Sequence, residues 1–224
     1  MFSMAAALMH ELLEGAAARF GDRDAVLAGE ERWSFRALDD RAADFGRSLL
    51  ARGVGPHDRV AVMTSNRPEF VVALNGISKI GAAAVLLSPA WKSVETGHAL
   101  DLTGPVHAVA DGPAVDLLGE LMDGAASVTD LDRPSGGGAV PTRGHPGVEP
   151  SGVGDADEVV LVFSSGTTGL PKAVRHTHRS IGIATTHWRR TLGLGPDDRF
   201  QVATPPSHIL GLLNLLAAAS GKNG

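Results

Sequence analysis

Ser164-Ser165-Gly166-Thr167-Thr168-Gly169-Leu170-Pro171-Lys172 follows directly on the strongly apolar run Glu158 to Phe163 and leads into Ala173 to His178. The run before it reads as a buried strand and the residues after it as a second strand. Between them, four hydroxyl side chains and two glycines fall at successive positions 164–169. Glycine lets backbone approach a ligand closely, and a succession of N–H and hydroxyl donors suits the crowded oxygens of a polyphosphate. Lys172 sets a positive point charge at the far end. The same composition also makes an ordinary connection between strands, so the ending and the flanks decide its meaning.

Two familiar nucleotide loops do not fit. A Walker A loop needs the lysine directly after the second glycine, then Ser or Thr and a helix, whereas Leu170-Pro171 intervenes here and a strand is expected to follow. The dinucleotide fingerprint G-x-G-x-x-G is absent as well, because only hydroxyl residues separate Gly166 from Gly169.

Upstream, helical periodicity from Ala5 to Arg19 stops at Gly21, and short strands at Ala25 to Ala28 and Arg32 to Phe35 flank Gly29-Glu30. Ser34 is placed to cap a helix carrying Leu38, Ala42, Phe45, Leu49 and Leu50, ended by Gly53. Val60 to Met63, a helix from Pro68 through Ile80, the stop Gly81 and the strand Ala83 to Leu87 form a strand, helix, strand unit with right-handed crossover. A helix near Ser93 to Leu102, a strand at Val106 to Ala110, a helix at Ala114 to Met122 and a strand at Ser127 to Leu131 repeat that pattern. The alternation predicts an α/β fold with a mostly parallel sheet. From Arg133 to Asp155, Gly and Pro crowd out any apolar periodicity, which reads as a surface linker. Beyond the linker and the loop, helices are expected over Ile181 to Leu192 and Ile209 to Ala219, the latter apolar on nearly every side as if buried in a larger body.

At 224 residues and 43% hydrophobic content the chain can bury a sizeable core. Its net charge is -5, and its basic residues are scattered, which argues against nucleic acid as a partner. The absence of Cys excludes disulfides, thiolate metal sites and a cysteine nucleophile, and fits the cytoplasm. No run reaches the ~20 apolar residues of a bilayer span, and the opening Met4 to Met9 lacks a preceding basic residue for a secretory signal. His176 and His178, expected on one strand face, and His187 have no acidic or thiol partner in the pattern, so no metal site is assigned. Trp33, Trp91 and Trp188 are expected in core or rim packing.

The nine positions Ser164 to Lys172, with the apolar strand before them and Thr177-His178 after them, resemble the phosphate-loop signature of the AMP-binding, adenylate-forming superfamily, in its acyl-CoA synthetase or fatty-acid-CoA ligase type. Asp58-Arg59-Val60-Ala61, Asn66, Pro68-Glu69-Phe70, Lys79, Gly81-Ala82 and Pro89 are similar to an early structural segment of those ligases. Thr204-Pro205-Pro206-Ser207-His208 with Gly211 looks like the later segment that borders the acyl pocket.

The resemblance implies the amino-terminal portion of the family's large α/β domain: a first part over 1–132, the linker over 133–155, and the phosphate-loop segment with the start of the acyl-pocket segment over 156–224. It implies an ATP-dependent carboxylic acid-CoA ligase working through an acyl-adenylate, with ATP, Mg2+ and coenzyme A. Ser164, Ser165, Gly166, Thr167, Thr168, Gly169 and Lys172 would then bind the phosphates, Lys172 also acting catalytically, and His208 and Gly211 would border the substrate acid. Ala173 departs from the family's usual glycine. Family members run to about twice this length or more, so the resemblance further implies a truncated and inactive fragment; the alternative is a non-catalytic nucleotide- or phosphate-binding module that functions at this length.

Overall fold

The computed structural model of the chain describes residues 8–122, 124, 127–133, 152–164, 169–195 and 197–220. Helix α1 (Met9–Phe20) leads into the antiparallel hairpin β1 (Asp24–Ala28) and β2 (Glu31–Ser34), which forms its own two-stranded sheet. The expected extension of α1 back to Ala5 lies partly outside the described residues. Ser34 caps α2 (Phe35–Leu50), its side chain accepting from the N–H of Ala37 at 3.2 Å. Alternation then sets in with β3 (Arg59–Met63), α3 (Pro68–Lys79), β4 (Ala83–Leu86), α4 (Ser93–Thr103), β5 (His107–Ala110), α5 (Pro113–Leu121) and β6 (Val128–Asp130). After the Gly/Pro-rich segment, of which 134–151 lie outside the described residues, come β7 (Glu158–Ser164), β8 (Lys172–Thr177), α6 (His178–Leu192) and α7 (Ile209–Ala219).

Six strands form the main sheet in the order β6-β5-β3-β4-β7-β8. Every neighbouring pair is parallel except β7 and β8, which run antiparallel. Continuous apolar strands are what a sheet covered on both faces requires, and successive residues divide between two cores. Val60, Val62, Ala84, Leu86, Val160 and Val162 pack on one face with α3 and α7 residues Phe70, Leu74, Leu212 and Leu216. Ala61, Met63, Val85, Leu161 and Phe163 pack on the other with Ala99 and Leu100 of α4 and Leu118 of α5. A third cluster ties Leu13 of α1 and Phe35, Leu38 and Ala42 of α2 to Val71 and Val72 of α3.

One expectation needs correction. His178 is not a strand residue: β8 ends at Thr177, and Thr177 and Ser180 exchange backbone-to-side-chain hydrogen bonds at 3.2 and 2.9 Å that start α6 at His178. His176 and His178 therefore do not share a strand face, and His178 is fully buried. The helix expected over Ile209 to Ala219 is α7, with Leu212 and Leu216 buried and Leu210 44% exposed.

Candidate phosphate-binding site

Parallel strands all end on the same edge of a sheet, and ligands of open α/β sheets gather beyond those carboxyl ends. Here that edge carries Met63, Leu86, Ala110, Asp130 and Ser164, the last residues of β3, β4, β5, β6 and β7. Ser164 stands opposite Lys172 in the β7–β8 register, so the Ser/Thr/Gly connection leaves and re-enters the sheet at that edge. Ser165, Gly166, Thr167 and Thr168 lie outside the described residues. Gly169 is described and adopts φ +119°, a conformation that L side chains rarely take.

Lys172 is exposed and, with Gly169, Leu170 and Ala173, lines an open depression against His98 and Leu102 of α4. Two contacts join α4 to the limbs of the connection. The Nε2–H of His98 donates to the carbonyl of Pro171 at 3.0 Å, and Trp91, just before α4, meets Phe163 of β7 edge-on with ring centroids 5.1 Å apart. Ala173 pairs with Phe163 and packs half-buried against the α4 face of the core, so its methyl group is accommodated where the family usually has glycine.

Towards β6, the carboxyl edge is filled by charge pairs. Arg67, at the start of α3, bonds Glu69 at 2.8 Å, Asp132 at 2.6 Å and Asp111 at 3.3 Å. Asp111 accepts from the backbone N–H of Ser65 at 3.0 and 3.1 Å and from its hydroxyl. The Arg67 hydrogen bond holds Glu69 below its ordinary pKa, and the N–H of Gly112 followed by Arg67 does the same for Asp132. With Nε and one terminal nitrogen engaged by three carboxylates, Arg67 is a brace between the ends of β3, β5 and β6.

At the opposite, amino edge, Arg59 of β3 makes a forked contact with Glu158 of β7 at 2.7 and 3.2 Å and donates to the carbonyl of Thr103 at 2.8 Å. Arg175 of β8 bonds the same carboxylate. Burial pushes Glu158 up, but these two arginines hold it below its ordinary range. Lys79, from the early segment, is also structural: its buried ammonium pairs with Glu14 and with Asp39 at 3.0 Å.

His208 and Gly211 are not gathered with the loop residues at either described cavity. His208 precedes the first residue of α7 and is exposed. Gly211 has a strict steric reason to be glycine, since a Cβ there would lie 2.2 Å from the carbonyl oxygen of Pro205. Neither residue lines the cleft of about 350 Å3 between the β1–β2 hairpin, α3 and α7, and that cleft shares no lining residue with the loop depression. Sequence reasoning missed His98 and the pairing of Trp91 with Phe163. Both join elements distant in sequence, and neither leaves a spacing signal.

A mostly parallel sheet with helices packed on both faces defines a protein of the open α/β class. Residues 13–222 match the family described as AMP-binding enzyme, and the chain belongs to that family. It is 30% identical over 192 residues to the long-chain-fatty-acid–CoA ligase FadD13 of Mycobacterium tuberculosis, an alignment covering 82% of this chain and 36% of that one. It is 29% identical over 196 residues to tyrocidine synthase 3 of Brevibacillus parabrevis, covering 85% of this chain and 3% of that one. The apo structure of MbtA from Mycobacterium smegmatis superposes with a TM-score of 0.79 at 31% identity, over 96% of this chain and 42% of that one. The chain thus spans well under half the length of each of these relatives. Among the described residues, no helix is long and apolar enough to cross a membrane.

Proposed function

We propose that the connection from Ser164 to Lys172 receives the triphosphate end of ATP, and that the chain is part of a cytoplasmic ligase that activates a carboxylic acid for transfer to coenzyme A. The observation that carries this reading is the register of Ser164 against Lys172, which sets the hydroxyl- and glycine-rich connection at the carboxyl edge of the sheet. Similarity to proteins named as CoA ligases for long-chain fatty acids and for hydroxybenzoates supports an aliphatic or aromatic acid as substrate.

In that reaction a carboxylate oxygen attacks the α-phosphorus of ATP, the bond to the bridging oxygen of the β-phosphate breaks, and pyrophosphate departs with that electron pair. The thiolate of coenzyme A then displaces AMP from the acyl-adenylate. Negative charge builds on the β- and γ-phosphates as the bond breaks, so donors fixed there favour the transition state over the ground state. Ser164 and Lys172 supply a hydroxyl and an ammonium at the two ends of the connection; Ser165, Gly166, Thr167 and Thr168 are assigned to the same phosphates. His208 and Gly211 are assigned to the border of the acid site. Among the described residues no group of His, Asp and Glu is arranged to hold a metal ion; Mg2+ would arrive with the nucleotide and offset part of the phosphate charge.

Calorimetry on this chain tests the reading. Inorganic tripolyphosphate and ATP should bind with similar affinity and AMP far more weakly, because the residues proposed here meet the phosphate tail. Binding of AMP alone, or no binding of tripolyphosphate, overturns it. Acid-dependent pyrophosphate exchange would extend the assignment to full ligase activity, whereas phosphate binding without exchange fits a non-catalytic module.

A further inference from the structure

We propose that His98 is a positioning residue for Lys172: its Nε2–H holds the Pro171 carbonyl and thereby sets the angle at which Lys172 leaves the glycine-rich connection. This rests on the phosphate-binding reading above.

The geometry is that of two anchors, one on α4 and one on the segment that leads into it. Trp91, just before α4, packs edge-on against Phe163, the residue before Ser164 on the ascending limb. His98, inside α4, reaches the descending limb at Pro171, the residue before Lys172, at 3.0 Å. α4 and the residues just before it therefore contact both feet of the connection. The peptide unit joining Pro171 to Lys172 is planar and trans, so its carbonyl and the N–H of Lys172 point in opposite directions. Holding the carbonyl against α4 fixes the direction of that N–H and of the lysine backbone that follows.

Packing alone does not call for histidine at position 98. Its neighbours in the depression include Leu102, Leu170 and Ala173, against which an alkyl or phenyl side chain would pack equally well. A ring nitrogen aimed at a carbonyl is what a histidine adds. Pro171 has no N–H of its own, so its carbonyl is the one backbone hydrogen-bonding group that residue 171 offers.

The test uses the full 224-residue chain with inorganic tripolyphosphate as the probe. His98→Gln retains an N–H donor near the place of Nε2, while His98→Phe keeps the bulk and removes the donor. We expect His98→Phe to weaken tripolyphosphate binding roughly threefold to tenfold, the range a single neutral hydrogen bond spans, and His98→Gln to stay within about twofold of the parent. Equal loss in both variants, or parent-like binding by His98→Phe, overturns the proposal. If Lys172→Ala loses binding while His98→Phe does not, only the role of His98 falls; if the parent chain fails to bind, the phosphate reading falls and takes this proposal with it. Nitrogen NMR of the unmodified chain gives a readout independent of folding of the variants: an Nε2–H tautomer at His98 that shifts on adding tripolyphosphate supports the role, and an Nδ1–H tautomer contradicts it.

Discussion

The backbone N–H of Met9 donates to Nδ1 of His178 at 2.9 Å, joining the first helix to the helix that follows the glycine-rich hairpin, 169 residues later. That bond requires Nδ1 of His178 to be an unprotonated acceptor. Nearby, Nδ1 of His10 lies 2.9 Å from the hydroxyl of Ser78, and the two imidazoles stand edge to face with centroids 6.3 Å apart.

Stability should therefore fall in mild acid. Burial, then the charge of Lys79 and the neighbouring His178, lowers His10 from 6.5 to about 3, and burial lowers His178 from 6.5 to about 4 against the opposing pull of Asp157 and Asp155. The unfolded chain takes up protons near 6.5 and the folded chain does not, so stability is full above 6.5 and is lost as pH falls towards 4 and 3, by up to about 1.4 kcal/mol per pH unit for each ring. Denaturant midpoints measured from pH 7.5 to 5 should decline, and His10→Gln should flatten the decline. A midpoint constant over that window contradicts this account.

Lys172→Ala should separate binding from folding. The side chain is exposed, so unfolding free energy should change by no more than about 0.5 kcal/mol. Tripolyphosphate affinity should drop by the ~1.5–3 kcal/mol of a charge-assisted hydrogen bond. Thermal unfolding beside calorimetry checks both, and a large loss of stability would assign the lysine a structural role instead.

Glu158→Gln should destabilise the chain by about 1–3 kcal/mol, because it leaves Arg59 and Arg175 without their carboxylate at the amino edge of the sheet. Glu158 is 13% exposed and Arg59 31%, while Arg175 at 70% contributes little. Urea denaturation should show the shift with tripolyphosphate binding retained, since the loop lies at the other edge.

Two glycines should respond in opposite directions to the same change. A Cβ on Gly76 would lie 2.7 Å from the carbonyl oxygen of Ala42 and 2.9 Å from Phe45, where α3 crosses α2, so Gly76→Ala should cost about 1–3 kcal/mol. Gly15, in α1, has nothing within 4 Å of that position, and Gly15→Ala should stabilise by about 0.5–1 kcal/mol through helix propensity. Equilibrium unfolding of both variants checks the contrast.

Much of the fold is legible in the sequence because its signals are local. Ser34, Pro68 and Gly81 mark element boundaries through capping and backbone conformation, and the unbroken apolar runs of β3, β4 and β7 announce strands covered on both faces. The start of α6 is not legible locally, because Thr177 and Ser180 cap it with a serine in the place where Glu or Gln is the usual signal. For the site, the run ending in Pro171-Lys172 is readable as a donor-rich connection, while its setting is not.

The sequence by itself determined the alternation of helices and strands, the family and the donor-rich run from Ser164 to Lys172, since each follows from neighbours within a few positions. The tertiary structure alone decided that β8 turns back against β7 so that Lys172 faces Ser164, that His98 and Trp91 brace the two limbs, and that Gly76 and Gly211 must lack a side chain. Those relationships arise where segments far apart in the chain are packed to contact distance, and close packing is a property of the assembled sheet and helices that no local window contains.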